Sequence, residues 1–179
     1  CLTLALTRRS VKGSPLTAAE HDGNLDKLEA AITREPVRGQ LSRITVGTID
    51  IETQGAYVST GLDGTLDTAT ASGMVRGTVD TFGLKNTSGA ARLMRFYGSI
   101  DAADGNNNTV GIKLALNGAA IDNTECRAFT GSGGAEAKLV TSWMINMAVN
   151  DEVSLMIANH SGTTDIELKR ARLVASEVR

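Results

Sequence analysis

From about position 41 to the carboxyl end, apolar residues recur at every second position, and no helical stripe interrupts the run. A period of two sends alternate side chains to opposite faces of an extended chain, so this stretch can bury its apolar set only as strands with one face on a core. Residues 109–116 carry the cleanest pattern: Val110, Ile112, Leu114 and Leu116 point inward, and Asn117-Gly118 closes the strand with a favoured hairpin dipeptide. In 91–100, Met94, Phe96, Gly98 and Ile100 share a face opposite Leu93, Arg95, Tyr97 and Ser99. Further strands are predicted at 55–60, 72–79, 81–86, 120–129, 136–147, 152–158 and 164–175. Ile44 and Val46 face one way and Ile49 and Ile51 the other, which places a bulge or corner near Gly47. Ile166 and Leu168 fall out of phase with Ala171, Leu173 and Ala175 by one residue, so Lys169-Arg170 straddles a second predicted bulge. Short strands at such even spacing, with glycine-rich turns between them, make a mainly β protein built as a sandwich or barrel.

The amino-terminal part follows other rules. Residues 1–15 form an arm in which Leu2, Leu4 and Leu6 alternate with Thr3 and Ala5. It is either a solvated terminus or an extended segment that docks on another subunit, and docking is favoured because an isolated strand cannot bury its own face. Residues 16–33 are a helix. Thr17 caps it, Glu20 three residues on completes a capping box, and Leu16 sits where a hydrophobic staple packs. Leu25, Leu28 and Ile32 mark an apolar stripe, while Gly23 weakens the first half by about 1 kcal/mol relative to alanine. Such a helix is marginal alone and needs a partner, either its own sandwich or the same helix in other subunits. Residues 34–40, REPVRGQ, read as a linker. The organisation is therefore an attachment arm and helix at 1–36, a linker and first strand at 37–52, and the sandwich at 53–179.

A search for chemistry returns no reactive cluster. The net charge of −2 gives no general attraction to nucleic acid or to an anionic membrane, and Arg8, Arg9 and Lys12 are too few to change that. No apolar run reaches the ~20 residues that span a bilayer. Only six aromatic residues occur, which disfavours surfaces that stack sugars or bases. Cys1 and Cys126 are expected to be free thiols. His21 lies among acids in the first helical turn and His160 in the turn Asn-His-Ser-Gly, both expected to have no nearby partner of the right kind. His160, Ser161 and Asp165 are too close along one hairpin to converge on a reacting atom. The loop DAADGNNN at 101–108 offers Asp101, Asp104 and Asn106 as oxygen ligands but lacks the spacing and closing glutamate of a calcium loop. Catalytic, cofactor-binding and metal residues are thus expected to be absent. Trp143, Met144 and Met147 share a strand that is apolar on both faces, a pattern that fits the core or a contact with a neighbouring subunit.

Two segments carry a resemblance. KGSPLTAAEHDGNLDKL, residues 12–28, resembles an amino-terminal signature of phage tail-fibre and other virion proteins, matching at Gly13, Ser14, Leu16, Thr17, Glu20, Asp22, Asn24 and Leu28. It departs at Gly23 and Leu25, where that family often has Asn and Phe. NDEVSLMIANHSGTTDIELKRARLVA, residues 150–175, looks like the closing hairpin of jelly-roll domains similar to tumour necrosis factor and the complement C1q head, and LMRFYGSIDA fits an earlier strand of that family. The resemblance implies a bacteriophage structural protein, made in the host cytoplasm and resident in the virion, with a trimeric jelly-roll β-sandwich and no cofactor. Its expected partners are itself, through Trp143, Met144 and Met147; other virion proteins, through Leu2, Leu4, Leu6, Leu25, Leu28 and Ile32; and a host surface. A tail-fibre or baseplate station competes with a capsid decoration or head-fibre role, with a glycan-binding adhesin module, and with a hydrolytic tail enzyme.

Overall fold

The computed structural model describes residues 17–68, 70–103, 107–133 and 135–179, with the side chains of 30–33 excepted. The chain divides into two compact units, one amino-terminal through Pro36 with Arg179, the other Val37–Val178. In the first, helix α1 (Ala18–Thr33) starts at Thr17, whose extended backbone and side chain form the expected capping box: Glu20 N–H donates to Thr17 Oγ1 at 3.3 Å, and Thr17 N–H donates to Glu20 Oε2 at 2.8 Å.

The second unit is a jelly-roll sandwich of two antiparallel sheets. In chain order the strands are β1 (Arg38–Arg43), β2 (Gly47–Ile49), β3 (Val58–Ser59), β4 (Thr65–Leu66), β5 (Met74–Arg76), β6 (Gly83–Asn86), β7 (Arg92–Ala103), β8 (Thr109–Leu116), β9 (Ala119–Ala120), β10 (Cys126–Phe129), β11 (Ala137–Met147), β12 (Glu152–Asn159) and β13 (Ile166–Glu177). One sheet runs β11-β7-β13-β1-β4, with β2 also on β13; the other runs β10-β8-β12-β6-β5, with β3 on β12 and β9 on β8. The inward phases pack between the sheets. Phe96, Met94 and Ile100 from one side meet Leu155, Ile112 and Leu114 from the other, all buried, as the alternation requires. Asn117 and Gly118 both take positive φ, 51° and 81°, which sets the tight β8–β9 hairpin. The register of β13 on β7 shifts between Leu168 and Arg170, so the second predicted bulge is present.

Other expectations change. Residues 38–40 belong to β1, not to a linker, with Val37 and Gly39 buried beside Leu41. The alternation Val37-Gly39-Leu41 was masked because glycine carries no apolar signal, yet a Cβ there would lie 2.9 Å from Met74 Cβ. The predicted corner near Gly47 stands: Ile44 and Val46 are exposed in the connection to β2, whereas Ile49 and Ile51 enter the core. The segment 72–79 shortens to β5 because 77–80 wraps a buried carboxylate. Glu152 Oε2 accepts from the N–H groups of Thr78 at 2.6 Å and Val79 at 3.0 Å, and Oε1 accepts from Asp80 N–H at 2.6 Å. Residues 120–129 are broken by a 3-10 turn at Asp122–Thr124, where Thr124 Oγ1 accepts from Leu114 N–H and Thr124 O accepts from Thr141 Oγ1 of the opposite sheet.

Candidate functional site

The register of the first sheet lays out its outer face as a grid. Inward side chains of β7, β11, β13 and β1 are buried, so the intervening ones face out. One rung reads Ser142, Tyr97, Val174, Gln40; the next, toward one end, reads Met144, Arg95, Ser176, Arg38. Toward the other end come Val140, Ser99, Arg172, Ser42, and then Lys138, Asp101, Arg170. The first two rungs carry the larger apolar side chains of the face, Tyr97, Val174 and Met144, among polar neighbours. Tyr97 is 42% exposed, Met144 52% and Trp143 44%, and together with Arg95 and Ser142 they line a groove of about 390 Å³. Trp143 shares the parity of buried Leu139 and Ile145, but β11 is the terminal strand of its sheet, and there the ring reaches the surface.

The residues predicted for assembly separate on inspection. Trp143 and Met144 lie on this surface, but Met147 is fully buried, so it is a core residue and not a contact residue. The strand is apolar on both sides, and parity assigns Met147 to the inner one. Leu25 and Leu28 are exposed on α1, at 60% and 42%. Leu2, Leu4, Leu6 and the side chain of Ile32 lie outside the described residues, as do Cys1, Asp104 and Asn106. Cys126 is a free, half-buried thiol.

A second cluster was not foreseen. Tyr57 O–H donates to Glu125 Oε1 at 2.5 Å, and Tyr57 Oη lies 3.2 Å from His160 Nε2, which is itself 3.6 Å from Glu125 Oε1. Arg127 Nη2 donates to the same carboxylate at 2.9 Å, and Lys113 Nζ stands 4.4 Å from the Tyr57 ring centroid while pairing with Asp122 at 2.8 Å. The Tyr57 hydrogen bond holds the Glu125 carboxyl below the usual range, burial followed by Glu125 pushes the Tyr57 phenol up, and burial followed by the Arg127 charge pushes His160 down. His160 therefore does have partners, which corrects the expectation that it has none. Tyr57 and Glu125 are 68 residues apart and Tyr57 and His160 103 apart, which hid the cluster; the trace it left was Gly111 in an otherwise regular strand, since a Cβ there would sit 2.5 Å from Tyr57 Oη and 2.6 Å from His160 Nε2. Gln54 Nε2 donates to His160 O and Gly55 N–H to Asn159 O, both at 2.7 Å, so the cluster fastens the 53–58 segment over β8. His160, Ser161 and Asp165 do not converge. Ser161 Oγ accepts from Thr109 N–H, and Asp165 Oδ1 accepts from Ile51 N–H.

No protein-family model matches the chain, and no curated protein matches it in sequence. Its fold is similar to that of Eiger TNF from S. frugiperda, with a TM-score of 0.56 at 11% identity over 82% of this chain and 94% of that one. PRD1 vertex protein P5 aligns at TM-score 0.46 and 12% identity, over 79% and 96% of the two chains. Murine APRIL aligns at 0.47 and 9%, over 79% and 99%. The first match shows a TNF-like jelly roll, the fold implied by the closing hairpin of the sequence.

Proposed function

We propose that this protein is a non-enzymatic assembly module of a bacteriophage particle, a tail-fibre or baseplate component that attaches through residues 1–36 and trimerises through its sandwich. The observation that carries the reading is the open apolar surface of Tyr97, Trp143 and Met144 on one sheet of a TNF-like fold, a fold that typically forms trimers. Scattered apolar side chains are ordinary on a surface, but Tyr97, Trp143 and Met144 line one groove, and a contiguous apolar patch of this kind suits a second surface that covers it. Trp143 lies on the edge strand and Tyr97 on the adjoining face, so an edge-to-face contact between copies would be heterologous, the kind that forms a ring where the rotation closes. The virion assignment rests on the amino-terminal signature, whose Thr17 and Glu20 form the capping box that opens α1. The ionisable groups around Tyr57 satisfy one another, and their contacts are those of a fastening more than of a catalytic site.

Light scattering tests the assembly. The chain is expected at about three times its 18.7 kDa mass, and Trp143→Ser with Met144→Ser is expected to shift it to monomer while circular dichroism stays that of a β protein. A stable monomer of the unaltered chain at micromolar concentration overturns the trimer. Mass analysis of purified virions tests the station: absence of the chain removes the structural reading.

A further inference from the structure

The outer face of the β11-β7-β13-β1 sheet is charged in one sense, although the chain as a whole carries −2. Arg38, Arg95, Lys138, Arg170 and Arg172 stand on its grid against Asp101, while Glu167 beyond the bulge is taken by Lys169 at 2.6 Å. The end that carries Tyr97 and Met144 already has a proposed occupant. The far end does not. There Arg170, Arg172, Ser42, Ser99 and Asp101 line a groove of about 220 Å³. Arg172 Nη2 donates only to the neutral Gln40 Oε1, at 2.8 Å, and among the described residues no acid lies within ion-pair distance of Arg170, Arg172 or Lys138. The bulge at Leu168/Arg170 has a local effect: it realigns the strand so that Arg170 joins Arg172 on the outer face.

The geometry points to this end of the face as a binding site for an acidic polysaccharide, with Arg170, Arg172 and Lys138 meeting its carboxylate or sulfate groups and Ser42 and Ser99 its hydroxyls. The inference does not depend on the virion assignment. Arg170 and Arg172 lie about 7 Å apart along β13, and Lys138 lies two strands away, about 10 Å. Cations spread in this way do not close on one small ion; they match a chain that carries charge at intervals. Guanidinium forks take carboxylate and sulfate oxygens in pairs. Scarcity of aromatic rings disfavours neutral sugars, which need stacking, but leaves charged sugars open. The same scarcity at this end, where the two rungs hold no ring, removes the platform that single-stranded nucleic acid uses.

The test uses the full chain and defined probes: a heparin hexasaccharide and an oligogalacturonate, against neutral dextran, poly-L-glutamate, oligo-dT and inorganic sulfate, by calorimetry at two salt concentrations. Expected are binding of both acidic saccharides that weakens as salt rises, at least tenfold loss in Arg170→Ser with Arg172→Ser, and no loss in Arg127→Ser, which alters a cation on the other sheet. Lys138→Gln provides a second, single-site variant should the double variant not fold, with a loss of at least threefold. No saccharide binding, equal binding of poly-L-glutamate or oligo-dT, binding of inorganic sulfate alone, or affinity unchanged in the variants overturns the proposal. Light scattering on the same samples reports oligomeric state separately, so failure of this site and failure of the trimer are told apart.

Discussion

Replacing Glu152 by glutamine tests whether a single buried carboxylate organises the 77–83 connection. Its side chain is buried and ties down three successive backbone N–H groups, those of Thr78, Val79 and Asp80. Gln keeps one oxygen, which can serve Thr78 and Val79, but its amide then points a donor at Asp80 N–H across a 2.6 Å gap. One charge-assisted bond, worth roughly 1.5–3 kcal/mol, disappears and leaves a buried donor whose desolvation costs about 1–3 kcal/mol more. The two surviving bonds become neutral and weaken. The total is about 4 kcal/mol. For a domain of this size, melting temperature moves roughly 3 °C per kcal/mol, so Glu152→Gln is expected to melt about 12 °C below the parent in a scan followed by circular dichroism. The alternative amide orientation is worse, since it sets a donor against two N–H groups. Gly77 supplies an internal check: a Cβ there would fall 2.2 Å from Glu152 Oε1, so Gly77→Ala should cost less in a Glu152→Ala background than in the parent. A Glu152→Gln protein melting within about 3 °C of the parent would refute the argument, because losing the Asp80 bond and the charge behind the other two would then cost almost nothing.

Three further outcomes follow from the packing and the polar cluster. Gly98→Ala places a Cβ 2.5 Å from Leu155 Cδ2 between the sheets, and urea unfolding is expected to show a loss of about 1–3 kcal/mol; an unchanged midpoint would mean the core there is looser than described. His160 is held below its ordinary 6.5, so the stability it contributes is present above that value and is lost as pH falls through it; the parent's advantage over His160→Gln should narrow between pH 7 and pH 5, and a flat or widening difference counts against the cluster. Tyr57 is held above its ordinary 10.0, so its contribution is present below that value and is lost as pH rises beyond it, and Tyr57→Phe should remove this alkaline limb.

Legibility followed the range of each interaction. The capping box of Thr17 and Glu20 spans three residues, and the Asn117-Gly118 turn spans two, so both could be read directly. The β13 bulge was visible as a slip in phase between Leu168 and Ala171. The corner before Gly47 was legible too, as a break in phase between Ile44 and Val46, which are exposed, and Ile49 and Ile51, which are buried. Met147 misled: a strand apolar on both faces does not say which face is the core until its parity is tied to Leu139 and Ile145.

Taken alone, the alternation after residue 41 and the clearest turns determined a β-sandwich or barrel behind a capped helix, and the resemblance of the closing hairpin implied that it is a jelly roll. Alternation is a property of the pleat, local to each strand, and it survives without knowledge of any partner. Tertiary structure alone decided that Glu152 clamps 78–80, that Tyr57, Glu125 and His160 meet over Gly111, and that arginines from β7, β13 and β1 share one face. Those meetings depend on strand order and register, which are fixed by closing loops tens of residues long and leave no regular spacing behind.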